Sequence, residues 1–392
     1  MTSRGTSAAL WLIFVQAVIT QGMAFTVRPT ISYRALEIGI APAWLGALAA
    51  TYAAAPLLCA LLVGQATDRF GPKKIMVVGT LLMALSGVAL TFIGGTITVL
   101  IVGSVLLGIG HLMAVIGQQA GVAGLTSPGK LQSVFGHYTL AGSLGQALGP
   151  GLIAVFGANA TIPDTGLIFA VAAVLMTLSV GVAVVLPVPR SRKGRSDAQP
   201  ASWREILRIR GLVPAITITA IVLAAVDITL IYLPVLGAEL GISAGVVGLL
   251  LSVRAASSML SRFFLGSLVR VLGSNRLLLL SLVIAAVSMA LIPIGMPMAA
   301  LVVLLVFLGF GLGIGQPVTM AWLAAAAPPG SQGRAMSLRI SGSRLGQIVF
   351  PTAAGAVAAG FGASGALWGI AVALGAAGFI SARHPLQFRP HK

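Results

Sequence analysis

Residues Gly64 to Lys74 read G-Q-A-T-D-R-F-G-P-K-K, and they lie between two long apolar runs, Ala43–Val63 and Ile75–Ile93. A helix that crosses lipid needs about 20 apolar residues in sequence, and each neighbouring run supplies that. The stretch therefore reads as a short charged turn joining two membrane helices. That reading decides the fold: a helical bundle solvated by lipid, with its charges confined to turns and a few interior positions.

Composition agrees. Of 392 residues, 58% are hydrophobic and 8% charged, and the mean hydropathy is +1.04; a soluble domain carries about 25% charged residues. The net charge of +17 matches what nucleic-acid binders show, but position argues against that partner. Roughly 20 of the 24 Lys and Arg fall in alternate loops or at the ends, the positive-inside distribution. It puts both termini and the Gly64–Lys74 turn on the cytoplasmic side of a plasma membrane. The first apolar segment, starting near Ala8, is too long for a signal-peptide core and reads as a first membrane helix. Cys59 lies within an apolar run, and His111, His137, His384 and His391 have no partners at metal-ligand spacing. No phosphate-cradling G-x-x-x-x-G-K-S/T is present, so ATP does not drive the process. The expectation is a non-enzyme with no cofactor and no metal.

Hydropathy gives about twelve spans, near 8–28, 42–63, 73–93, 97–121, 131–157, 164–187, 212–236, 243–268, 276–295, 297–323, 334–360 and 363–382. The long polar connection after Pro187 carries Arg190, Arg192, Lys193, Arg195, Arg204, Arg208 and Arg210, and Trp203–Arg210 has the pattern of a short interfacial helix. It divides the chain into residues 1–187, a cytoplasmic linker 188–211 and residues 212–392. An internal repeat supports the division. Leu107-Gly108-Ile109-Gly110 recurs as Leu308-Gly309-Phe310-Gly311, and Leu144-Gly145-Gln146 with Pro150 recurs as Leu345-Gly346-Gln347 with Pro351. Glu37-Ile38-Gly39-Ile40 recurs as Glu239-Leu240-Gly241-Ile242, and Gly64 and Gly71 map onto Gly266 and Gly273. The offset stays near 201–202 residues throughout, which implies two six-helix halves in parallel orientation.

The turn that opens this account resembles the signature loop of the major facilitator superfamily, G-x-x-x-D-R-x-G-R/K-R/K. Gly64, Asp68, Arg69, Gly71, Lys73 and Lys74 match, and Pro72 stands where a basic residue is usual. The resemblance implies an all-α membrane protein of twelve helices in two pseudo-symmetric bundles. It also implies that Asp68 latches one face shut by docking at a helix N-terminus in the other half, here near Gly333-Arg334. Unpaired N–H groups and the helix dipole favour an acid there. In the second copy Arg270 takes the place of Asp68. The fifth span, with Gly142, Gly145, Gly149 and Pro150, resembles the G-x-x-x-G-P-x-x-G-G motif of the superfamily's antiporter branches, though Ile153-Ala154 replaces the trailing glycines. The Arg that drug/proton antiporters carry in the fourth helix is absent; its position is Ser104. In the tenth span Gly309, Gly311, Gly313 and Gly315 precede Gln316-Pro317, and such a run weakens a helix, so this span reads as a gating helix.

Charges within a span default to functional hypotheses. Asp227, Arg254 and Arg344 all fall near mid-depth, and Asp227 is the single carboxylate there. The expectation is that Asp227 pairs with Arg254 and exchanges a proton, leaving Arg344 to meet an anion. Arg28, beside Pro29 at the outer end of the first span, reads as an interfacial anchor or an outer gate residue. Further polar candidates at depth are Gln21, Tyr52, His111, Gln146, Gln316 and Gln347. The leading function is secondary active transport by a monomer, with proton-coupled efflux of a small amphipathic compound. The alternatives are carriage of a small organic anion on Arg254 and Arg344, and a non-transporting sensor or scaffold.

Overall fold

A computed structural model describes residues 3–127, 130–187, 205, 207–209, 211–327 and 332–386. The described residues are helical between short turns. The first half comprises α1 (Ser3–Glu37), α2 (Pro42–Phe70), α3 (Pro72–Ile93), α4 (Ile97–Leu125), α5 (Leu131–Leu148), α6 (Gly151–Gly157) and α7 (Thr165–Val185). The second comprises α8 (Leu212–Glu239), α9 (Ala244–Phe263), α10 (Leu265–Leu272), α11 (Ser274–Leu291), α12 (Met298–Ala326) and α13 (Gln332–Arg383). Among the described residues eleven helices are long and apolar enough to span a bilayer. The last of these windows is 46 residues long, twice what one crossing of about 20 residues needs. Gly362 (φ 62°, ψ −160°) breaks α13 there into two arms, so the chain makes twelve crossings. Most of the proposed linker, including Trp203 and Arg204, lies outside the described residues.

The repeat seen in the sequence is a repeat of contacts. Glu37 accepts a hydrogen bond from Thr165 Oγ1 at the start of α7 (2.8 Å), and Glu239 accepts one from the Ala363 N–H at the start of the last arm (3.1 Å). Each acid thus meets the first turn of the helix that closes its own half: Glu239 caps a backbone N–H there, a contribution of about 1 kcal/mol, while Glu37 holds a side chain and Asp164 caps the backbone of α7. At the other end of the bundle Gly71 and Gly273 sit at positive φ, 89° and 74°, where a Cβ would be strained. Gly108 packs on the carbonyl of Tyr52 and Gly309 on that of Arg254. Gly110 abuts Gly79 and Met83, while Gly311 abuts Ser281 and Ala285, again about 202 residues on.

The halves meet by the same rule. Gly46 of α2 faces the Pro351 carbonyl of α13, and Gly355 faces that of Ala43. Gly248 of α9, the equivalent of Gly46, faces Ala154 and the Pro150 carbonyl, and Gly245, the equivalent of Ala43, faces the carbonyls of Ala158 and Ala154. Small residues let backbones approach closely in lipid, where apolar burial drives little. Both interfaces lie at the end of the bundle away from the Gly64–Lys74 turn. Tyr232 Oη adds a bond to the Pro42 carbonyl (3.3 Å), and Ala244 N–H one to the Ala160 carbonyl (2.7 Å). This end is zipped shut.

Three local readings change. The fifth span breaks at Gly149-Pro150, and Thr26 Oγ1 takes up the Gly149 carbonyl at 2.6 Å. The eighth span stops at Phe263; α10 continues after it with no buried residue. The tenth span, α12, runs unbroken through its glycines and Pro317. Pro317 removes the N–H that would bond the Gly313 carbonyl, and Arg262 Nε donates to that oxygen instead (3.3 Å).

Candidate functional site

α1 and α8, the first helices of the two halves, face each other at mid-depth. Both are apolar, so the few polar side chains they turn toward each other have only one another to bond. Arg28 Nη1 of α1 lies 2.9 Å from Asp227 Oδ1 of α8, with the two side chains 7% and 5% exposed. The second carboxylate oxygen accepts from Gln347 Nε2 at 2.8 Å. Gln347 Oε1 in turn accepts from Arg344 Nη1 at 3.2 Å. On the other side the Arg28 guanidinium rests 4.4 Å from the centroid of the Tyr52 ring, a cation–π contact. Tyr52 Oη is 2.9 Å from His111 Nδ1. One chain of contacts therefore runs from His111 in α4 through Tyr52, Arg28, Asp227 and Gln347 to Arg344 in α13, crossing from one half to the other.

This corrects two expectations. Asp227 binds Arg28 and not Arg254, and Arg28 is no interfacial anchor. The reason is the length of α1: the helix continues through Pro29 to Glu37, so Arg28 sits two turns inside it, opposite Asp227. Arg344 is not wholly free either, since Gln347 holds one of its nitrogens. The signal for Arg28 was the polar run Thr26, Arg28, Thr30 and Ser32 within an apolar helix. All four are buried, which marks a helix turned toward protein.

Arg254 stands apart. It is 2% exposed, and its Nε and Nη2 have no hydrogen-bond partner within the protein. Arg28, Asp227 and Arg262 are near enough to act on it electrostatically. Arg262 itself is engaged, through the Gly313 carbonyl and through Ser143 Oγ of the other half at 3.1 Å. A buried guanidinium with open donors costs several kcal/mol.

The remaining candidates sort by depth. Gln146 Nε2 approaches Gln21 Oε1 at 3.4 Å, nearer the Gly64–Lys74 end than the Arg28–Asp227 pair. Gln316 is partly exposed on α12 and joins no hydrogen bond of the cluster. Gln21, Gln146, Arg262 and Arg344 are also partly exposed, whereas Arg28, Tyr52, Asp227 and Arg254 are buried. On the zipped side a cavity of about 10 Å³ is lined by Arg28, Ser32, Leu48, Tyr52 and Ser104, room for about one water. Ser104, where antiporters carry Arg, thus shares a cavity with a guanidinium supplied by α1.

The fifth-helix glycines pack inside their own half: Gly145 on Val18 and Gly149 on Gly22 of α1. Asp68 is exposed, and Arg69 stacks 5.2 Å from the Phe70 ring centroid. Lys74 is exposed and Gly64 has open space beside it. The latch partner expected near Gly333-Arg334 involves side chains outside the described residues.

Known proteins carry the same architecture. Among solved structures, the nucleoside transporter NupG superposes with a TM-score of 0.80 at 14% identity, covering 96% of this chain and 100% of that one. A D-xylose-proton symporter gives 0.79 at 14% identity, with 97% and 98% covered. At these identities the likeness shows the fold. A curated relative, the uncharacterized MFS-type transporter YhhS of Escherichia coli (strain K12), is 28% identical over 226 residues, 55% of this chain and 53% of that protein. The chain spans about half the length of the curated relatives it matches. The family model of the Major Facilitator Superfamily matches residues 12–236 and again 215–387. With that match over both repeats, on a duplicated twelve-crossing bundle, the chain belongs to the Major Facilitator Superfamily.

Proposed function

We propose that this chain is a secondary transporter of a small organic anion, held at mid-depth between the halves on Arg254 and Arg344. The carrying observation is Arg254, buried with two open donors, while Asp227, the one carboxylate nearby among the described residues, is already taken by Arg28 and Gln347. Planar guanidinium forks suit a carboxylate in two-point contact. The halves rock about this point, exposing it to each side in turn. Residues 1–187 and 212–392 form the two lobes, both termini and the Gly64–Lys74 turn face the cytoplasm of a plasma membrane, and Asp68 latches that face. The carrier works as a monomer.

The test is equilibrium binding to the purified protein, with succinate and benzoate as anionic probes and tetraphenylphosphonium as the cationic one. Anions bind and the cation does not. Arg254→Gln and Arg344→Ala each weaken anion binding about tenfold or more, the loss of one charge-assisted contact of about 1.5–3 kcal/mol. A cation that binds, with neither substitution affecting any probe, overturns this reading.

A second reading, proton-coupled efflux of an amphipathic compound, is favoured by the place of Asp227. It bridges the halves, so a proton arriving there would release Arg28. Asp227→Asn in proteoliposomes decides it: pH-gradient-driven flux left intact removes the proton from the cycle.

A further inference from the structure

We infer that this carrier exchanges one anion for another and does not return empty. The inference rests on the anion reading above and adds the mode of transport to it.

Charge is the first ground. Among the described residues here the guanidiniums of Arg28, Arg254 and Arg344, with that of Arg262 about two turns further along α9, have a single carboxylate between them, Asp227. One negative charge against four positive ones leaves a surplus, and a surplus in a low-dielectric interior is tolerated only with a counter-ion or access to water. The second ground is how the surplus is distributed. Arg28 has Asp227 and the Tyr52 ring, Arg262 has Gly313 and Ser143, and Arg344 has Gln347. Arg254 alone of the four has Nε and Nη2 without partners. The third ground is the connection between halves. The Arg28–Asp227 pair joins α1 to α8 across the interface, and Arg254 lies within electrostatic range of both members.

Switching sides requires passing a state in which the site is cut off from water at both ends. In the empty carrier Arg254 crosses that state with its charge neither paired nor hydrated, and Arg28 stays locked to Asp227. A bound anion changes both. It supplies the missing acceptor for Arg254, and it competes with Asp227 for Arg28, loosening the tie between the halves. Only the loaded carrier crosses readily, so outward passage of one anion becomes the condition for inward passage of the next.

The experiment is counterflow. The protein is reconstituted in phosphatidylethanolamine–phosphatidylglycerol vesicles, and uptake of labelled succinate, benzoate and inorganic phosphate is followed. Vesicles preloaded with the same unlabelled anion are compared with vesicles holding only mannitol. Initial uptake is expected to be at least about tenfold faster into loaded vesicles, a difference of about 1.4 kcal/mol in the barrier. In Arg254→Gln that ratio falls toward one at saturating anion, and in Arg254→Lys, which keeps the charge, it stays high. Equal rates into loaded and empty vesicles overturn exchange and leave anion transport standing. No uptake of any of the three anions under either condition overturns the anion reading itself. A ratio unchanged in Arg254→Gln, or abolished equally in Arg254→Lys, overturns the role given to this charge; Arg344→Ala, expected to lower the ratio too, serves if Arg254→Gln fails to fold.

Discussion

Separating Arg28 from Asp227 should destabilise the protein more than any other single change at the interface, and the effect can be worked from the geometry. The pair is 2.9 Å apart with side chains 7% and 5% exposed. At an effective dielectric of about 20, unit charges at that distance attract by about 6 kcal/mol, gross of desolvation. Removing one partner of such a pair leaves a buried ion uncompensated and costs about 3–5 kcal/mol. Arg28→Gln strands Asp227 with Gln347 as its remaining donor. Asp227→Asn strands Arg28 over the Tyr52 ring. Each is expected to cost about 3 kcal/mol. The double variant replaces an ion pair with two amides able to bond each other, and it is expected to cost about 2 kcal/mol, well below the sum. The coupling is then near 4 kcal/mol, several hundredfold in the unfolding constant. Equilibrium unfolding in mixed dodecyl-maltoside and dodecyl-sulfate micelles measures all four corners of the cycle. Single effects that add to within about 0.5 kcal/mol would refute the reasoning. A parallel cycle on Asp227 and Arg254 is expected to give a coupling below about 1 kcal/mol, because those two share electrostatics and no hydrogen bond.

Two further expectations concern closure and recognition. Gly46→Ala drives a methyl into the Pro351 carbonyl, and Gly248→Ala does the same toward Ala154 and Pro150; each should slow counterflow about tenfold or more and raise labelling of an Ala49→Cys reporter by an impermeant maleimide in a Cys59→Ala background. Native rates in both variants would show that the small-residue contacts are not what shuts this end. Tyr52→Phe keeps the ring under Arg28 and loses the hydroxyl's contacts to His111 and Arg344, whereas Tyr52→Ala also loses a cation–π contact worth about 0.5–2 kcal/mol. Anion binding should therefore fall further in the alanine variant than in the phenylalanine one, and equal losses would move the weight from the ring to the hydroxyl.

What was legible in the chain itself was the architecture. Lipid forces every crossing into a helix of about 20 apolar residues, so hydropathy alone counted the crossings, even where Gly362 turns one directly into the next within α13. Half-length repetition of glycines and of Glu37 and Glu239 was legible too, because close helix contacts and contacts at helix ends are local demands that each half repeats. The charged candidates at depth were also found by rarity: Asp227, Arg254 and Arg344 all lie in or beside the interface. Their partners were not. Arg28 looked like a boundary because Arg-Pro so often ends a helix, but in lipid a proline is absorbed by neighbours and α1 runs on to Glu37. Which guanidinium meets Asp227 depends on how α1 and α8 are rotated and slid against one another, and residues 199 positions apart in sequence leave no periodic trace of that. Helix existence is set by the solvent, one segment at a time; pairing inside the bundle is set by packing of all the segments together, and that only the tertiary structure decided.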